Sequence, residues 1–175
     1  MSLGNLYLES AQKRLLYYKT LGDKTFEQLN GEQLHWQPAG APNSIYLIVK
    51  HIHGNMLSRW TDFLTTDGEK PGRDRDAEFV ETSATKEEIL AMWTAGWDCM
   101  IQAISSLTAD DLEKTVYIRK EPHAVLDAIN RQVSHIPYHV GQIVYIGKMI
   151  RGDNWESLSI PKGQSQQYNQ EKFGK

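Results

Sequence analysis

Cysteine is nearly absent: Cys99 stands alone among 175 residues, which excludes an intramolecular disulfide and any thiolate metal cluster built within one chain. A reducing, cytoplasmic setting fits that usage. Long hydrophobic runs are missing as well. No uninterrupted stretch of about 18 apolar residues occurs, and the start, MSLGNLYLESAQKR, has no basic segment followed by an apolar one. Neither a transmembrane helix nor a signal peptide is expected, and no membrane partner. Clustered positive charge is the third absence. Nineteen Lys and Arg against 22 Asp and Glu leave a net charge of -3 without a basic run, so nucleic acid is not an expected partner. No linker-like stretch divides the chain, and residues 1–175 read as one domain with an irregular tail from about residue 152.

What the chain does hold is large rings, five Trp and eight Tyr within a 40% apolar composition, which argues for a packed core. Leu8, Ala11, Leu15 and Tyr18, followed by Phe26 and Leu29, predict a core-facing helix over residues 5–29, loosened near Gly22. Gly31, Pro38, Gly40 and Pro42 break the pattern, and Asn43 or Ser44 can cap a second helix carrying Ile45, Ile48, Ile52 and Leu57. Residues 66–84 are charged, punctuated by Gly68, Pro71 and Gly72, and read as a long crossover. Its alternating Arg73, Asp74, Arg75 and Asp76 read as a solvated surface. Ile89, Trp93, Trp97, Met100 and Ile104 predict a third helix over residues 85–106, with the tryptophans and Cys99 as core residues. Thr108 with Asp111 resembles a helix-capping start, Thr115 to Ile118 a short extended piece. A fourth helix then runs from about His123 to Met149.

That fourth helix carries the candidate site. His135 and His139 lie four residues apart, just over one turn, so both imidazoles share a face and can bind one metal ion from a single element. The bland alternative is a pair of core histidines satisfied by hydrogen bonds. On the second helix, His51 and His53 point about 200° apart, so at most one can join the pair. His51 shares its face with Leu47, Ile48, Gly54, Asn55 and Ser58, an apolar wall followed by small residues that leave space beside it. Pro137, between the paired histidines, cannot donate to the Val133 carbonyl and predicts a kink there. His123 reads as an unrelated surface or capping residue.

Read together, WQPAGAPNSIYLIVKHI and HIPYHVGQI resemble the DinB-like superfamily, metal-dependent thiol transferases and hydrolases. The matching residues are Trp36 with Pro38, Ser44-Ile45 with His51 seven residues after the serine, and His135, His139, Gly141 and Gln142. The resemblance spans most of the chain in element order, and the histidine pair followed by Gly-Gln is its most specific piece. It implies an all-α four-helix bundle with a long crossover between helices two and three, a metal triad on His51, His135 and His139, and frequent homodimers. It also implies a divalent ion, zinc or nickel first, with iron or manganese as further choices. Pro137 departs from the family pattern and bears on ligand geometry.

Three neutral imidazoles leave a divalent ion its full charge and an open position, the arrangement of a catalytic rather than a closed structural site. A thiol in that position would become a thiolate nucleophile beside a small electrophile; a water would support hydrolysis. Hydrolysis also wants a base, and no carboxylate lies one turn from the three histidines. Asn55, Arg131, Gln132 and Gln142 occupy the adjoining turns, where they can orient an anionic or amide-bearing substrate or hold the ligands. The expected function is therefore transfer of a low-molecular-weight thiol to a small electrophile, with no catalytic base assigned. A metal-dependent hydrolase and a non-catalytic metal-binding or structural bundle are the alternatives.

Overall fold

A computed structural model describes residues 2–37 and 43–174 of the chain. Pro38, Gly40 and Pro42, expected in the loop before the second helix, lie outside the described residues. Among the described residues the α-helices and strands follow in the order α1 (Leu3–Glu27), α2 (Gly31–Leu34), α3 (Ile45–Trp60), α4 (Lys86–Ser105), β1 (Thr115–Ile118), β2 (Glu121–Ala124), α5 (Val125–Arg151) and α6 (Ser165–Phe173). The protein is mostly helical with a small two-stranded sheet. No described helix is long and apolar enough to cross a membrane.

The four long helices close on one another in a ring: α1 packs on α5 and α4, and α3 on α4 and α5. Their buried faces are the apolar repeats of the sequence. Leu15, Ile45, Ile52, Met56, Ile89, Trp97, Met100, Ile104, Ile129, Ile136 and Ile143 are fully buried. Trp93 and Trp97 are core residues, with ring centroids 5.3 Å apart. Gly22 does not loosen α1. The helix runs through it, and the missing side chain makes room for the Trp93 ring, which a Cβ there would overlap.

Helix starts follow local chemistry. Ser44 caps α3 by accepting the Leu47 N–H at 3.2 Å, and Thr85 with Glu88 forms a reciprocal capping box at α4. Thr108 donates its backbone N–H to Asp111 at 2.7 Å, which opens only a 3-10 turn. α5 continues unbroken through Pro137 to Arg151, whose successor Gly152 takes a positive φ of 53° and ends it.

The all-α expectation holds broadly, with one small addition: the extended piece expected at Thr115–Ile118 pairs antiparallel with Glu121–Ala124 in a hairpin. Val116 and Ile118 turn inward, and Glu121–Ala124, two residues further on, complete the ladder, so the helix expected to start near His123 begins at Val125. The tail is not wholly irregular, since α6 forms there with every residue exposed. The crossover is not all solvated surface. Arg73 has a side chain only 6% exposed, and Glu78, in a 3-10 turn at Ala77–Phe79, is buried, whereas Asp74, Arg75 and Asp76 are exposed.

The hairpin turn consists of Arg119 and Lys120 at φ 57° and 65°, a conformation that favours Asn and Gly. The crossover secures it. Asp67 accepts the Arg119 and Lys120 N–H groups at 2.8 and 2.7 Å, and Glu69 binds Arg119 at 2.9 Å and Arg59 of α3 at 3.1 Å. Crossover, hairpin and α3 are thereby joined at one end of the helices.

Candidate metal centre

Helix α3 supplies His51, and α5 supplies His135 and His139 from successive turns of one face. Their ring nitrogens converge. His51 Nε2 lies 3.4 Å from His135 Nε2, which lies 3.1 Å from His139 Nε2, and the three ligand atoms all fall within 4.8 Å of one another. Four ligands at 2.0–2.1 Å in a tetrahedron sit about 3.3 Å apart. The two separations that involve His135 match that value, so Pro137 between the two ligands does not keep them from converging.

The far side of two rings is already committed. His51 Nδ1 lies 2.9 Å from Glu78 Oε2 and His139 Nδ1 lies 2.9 Å from Gln142 Oε1. A carboxylate or amide oxygen only accepts, so both Nδ1 atoms carry the proton and both Nε2 atoms present lone pairs to the centre. One proton on His135 Nε2 satisfies one neighbour. A cation at the centre satisfies all three, which is why the trio fits a metal better than a self-contained core hydrogen bond.

Burial first, then the neighbouring imidazoles His139 and His51 and the guanidinium groups of Arg73 and Arg59, depress the His135 pKa to about 4. Burial likewise lowers His139, partly opposed by its bond to Gln142. Both rings are neutral at pH 7, the form that binds metal.

Glu78 is the residue that sequence reasoning missed. It comes neither from a neighbouring turn nor from another long helix but from the crossover, and Arg73 grips it with two hydrogen bonds of 2.7 and 3.0 Å. Burial works against its charge, but hydrogen bonds from His51 and Arg73 hold its carboxyl below the ordinary range. Phe79, the next residue, stacks on the His51 ring with centroids 5.0 Å apart. The one signal in the sequence was Gly54. A Cβ there would overlap Glu78 Oε1 and stand 2.9 Å from its Cδ, so the glycine is the notch in α3 into which the carboxylate fits.

The other candidates fall into place around this centre. Asn55, Arg131 and Gln132 line a cavity of about 680 Å³ that His51 and His135 also border, while Gln142 lies behind His139. Three histidines stay outside. His53 Nδ1 pairs with the Met92 carbonyl at 2.8 Å, His35 with Glu81 and the Ala84 carbonyl, and His123 with Asp127 at 3.0 Å. Cys99 is half-buried, 3.6 Å from the Thr61 hydroxyl and away from the cavity lining.

Comparison with known proteins adds the family. The family described as "Protein of unknown function (DUF1572)" matches residues 2–164, and the chain belongs to it. No curated protein matches the chain.

Proposed function

We propose that the protein is a four-helix bundle of the DinB-like type that binds a divalent metal through His51, His135 and His139 and transfers a low-molecular-weight thiol to a small electrophile. The observation that carries the reading is the convergence of three Nε2 atoms while Glu78 and Gln142 hold the Nδ1 atoms behind them. An ion held there, zinc or nickel before iron or manganese, would supply a full positive charge that stabilises a thiolate at neutral pH.

The chain's own residues do the rest. Glu78 orients His51, Gln142 orients His139, and Asn55 and Gln132 present amide groups to the cavity beside them. Thiol transfer is favoured over hydrolysis because the carboxylate nearest the triad is spent. Glu78 is buried, doubly bonded to Arg73 and bonded to His51, so it is poorly placed to take a proton from water. A homodimer in the cytoplasm, with a small thiol and an electrophile as its partners, belongs to the same reading.

Elemental analysis of untagged protein tests it, for the unaltered chain and for His51→Ala, His135→Ala, His139→Ala and His53→Ala. One metal per chain, lost in the first three and kept in the fourth, is expected, followed by electrophile-dependent loss of free thiol in the metal-loaded protein. Absence of metal after incubation with zinc, nickel, manganese or ferrous iron would refute it. Metal without thiol consumption toward any electrophile would leave a binding protein instead.

A further inference from the structure

The cavity beside the triad has a charge that the chain as a whole does not. Arg59, Arg73, Arg75, Arg119 and Arg131 line it, against one carboxylate, Asp127, which is hydrogen-bonded to His123. Behind the arginines stand two more acids, Glu69 and Glu78, already shared out: Glu69 among Arg59, Arg73 and Arg119, Glu78 between Arg73 and His51. Five guanidinium groups thus meet three carboxylates in a chain whose net charge is -3. Among the described residues the side chains of Arg75 and Arg131 have no acidic partner and no hydrogen bond, and both are exposed where they border the cavity.

Two further observations point to a bound molecule. Asn55 Oδ1 and Gln132 Nε2 are buried and have no hydrogen-bond partner, and both residues line the cavity on the turns next to His51 and His135. An acceptor and a donor of this kind are costly unless something meets them. The second is Arg119 itself. It holds a positive φ in a turn position where Asn or Gly would be easier, yet its side chain lines the cavity.

We infer that this chamber takes a substrate bearing a carboxylate or phosphate group, held at its outer end by Arg75, Arg119 and Arg131, with a polar, amide-like middle against Asn55 and Gln132. Guanidinium groups suit both anions because their paired N–H donors match two oxygens at once. The proposal rests on the reading of the cavity as the substrate chamber of the histidine centre, and it names the chemical class admitted there.

Titration calorimetry of the full-length protein with succinate, inorganic phosphate and the uncharged succinamide tests it, in the unaltered chain and in Arg75→Gln, Arg131→Gln and Arg14→Gln. His139→Ala is titrated as well, to separate the arginines from any attraction to metal. Succinate and phosphate are expected to bind and succinamide not. Binding is expected to weaken about 10-fold in Arg75→Gln and in Arg131→Gln, to stay unchanged in Arg14→Gln and to persist in His139→Ala. No binding by the unaltered chain, equal binding of succinamide, loss confined to His139→Ala, or indifference to the Arg75 and Arg131 substitutions would each overturn it. Because the His139→Ala titration needs no metal, a failure of the anion site and a failure of the metal centre give different results.

Discussion

Gly54→Ala sets two effects against each other. In an open helix the change stabilises by about 1 kcal/mol, because alanine surrenders less backbone freedom than glycine. In α3 the new Cβ overlaps Glu78 Oε1 and stands 2.9 Å from Cδ, so the carboxylate has to withdraw. Withdrawal strains bonds of 2.9 Å to His51 and of 2.7 and 3.0 Å to Arg73. Hydrogen bonds to charged groups contribute about 1.5–3 kcal/mol each, so weakening three of them outweighs the helix gain and leaves a net loss of about 1–3 kcal/mol. For a chain of this size the melting temperature should fall by about 3–10 °C. His51 also loses its orienting partner, and metal affinity should drop about 10- to 100-fold. Urea unfolding and competition against a chelating indicator measure the two effects. Gly141→Ala is the matched control: in α5 a Cβ meets nothing within 4 Å, and stability should rise by up to about 1 kcal/mol. If Gly54→Ala proves as stabilising as Gly141→Ala, with metal affinity intact, the carboxylate does not hold His51.

Metal-free protein should lose stability as the pH falls from about 6.5 to about 4, since the unfolded chain takes up a proton that folded His135 refuses, and no such loss arises above that window. In His135→Gln the urea midpoint should fall less steeply over the same range. Lys120→Gly should raise stability by up to about 1 kcal/mol in urea unfolding, because Lys120 holds a φ of 65° that glycine adopts freely. Arg119→Gly should gain less, because it also loses the 2.9 Å pair with Glu69, and should weaken succinate binding, separating the turn's backbone cost from the use of its side chain. Zinc at about 1,000 times its dissociation constant should add about 4 kcal/mol, read as a rise of roughly 8–16 °C in melting temperature, and should add nothing in His139→Ala.

The long helices were legible because each is amphipathic over many turns, so the apolar repeats of Ile45, Ile48 and Ile52 or of Ile89, Trp93 and Trp97 outweigh local exceptions. Strand β1 was legible from its β-branched alternation, but its partner was not. Glu-Pro-His-Ala has no strand signature, and it pairs because the turn before it is tied down by Asp67, a residue some fifty positions away. The same limit hid Glu78. Spacing arguments see neighbours on one helix, whereas this carboxylate sits in the charged crossover, 27 positions after the His51 it holds. Charged sequence normally means solvent, and Arg73 contradicts that only because Glu69 and Glu78 accompany it inward. Gln142 lies three residues after His139, within reach of local reasoning, and Asn55 and Gln132 could be placed near the centre but not given partners.

His51 and His135 are 84 residues apart in the chain, yet their Nε2 atoms lie 3.4 Å apart. An ion joining them would close a loop of that length, and by the entropy of a cross-linked unfolded chain such a closure is worth about 4–5 kcal/mol, provided the ion stays on during unfolding. With Cys99 as its sole cysteine, the protein cannot staple itself by sulfur. A centre of this kind would act as a reversible staple instead, one that acid or a chelator opens. The lifetime of the folded chain would then depend on how fast the ion dissociates.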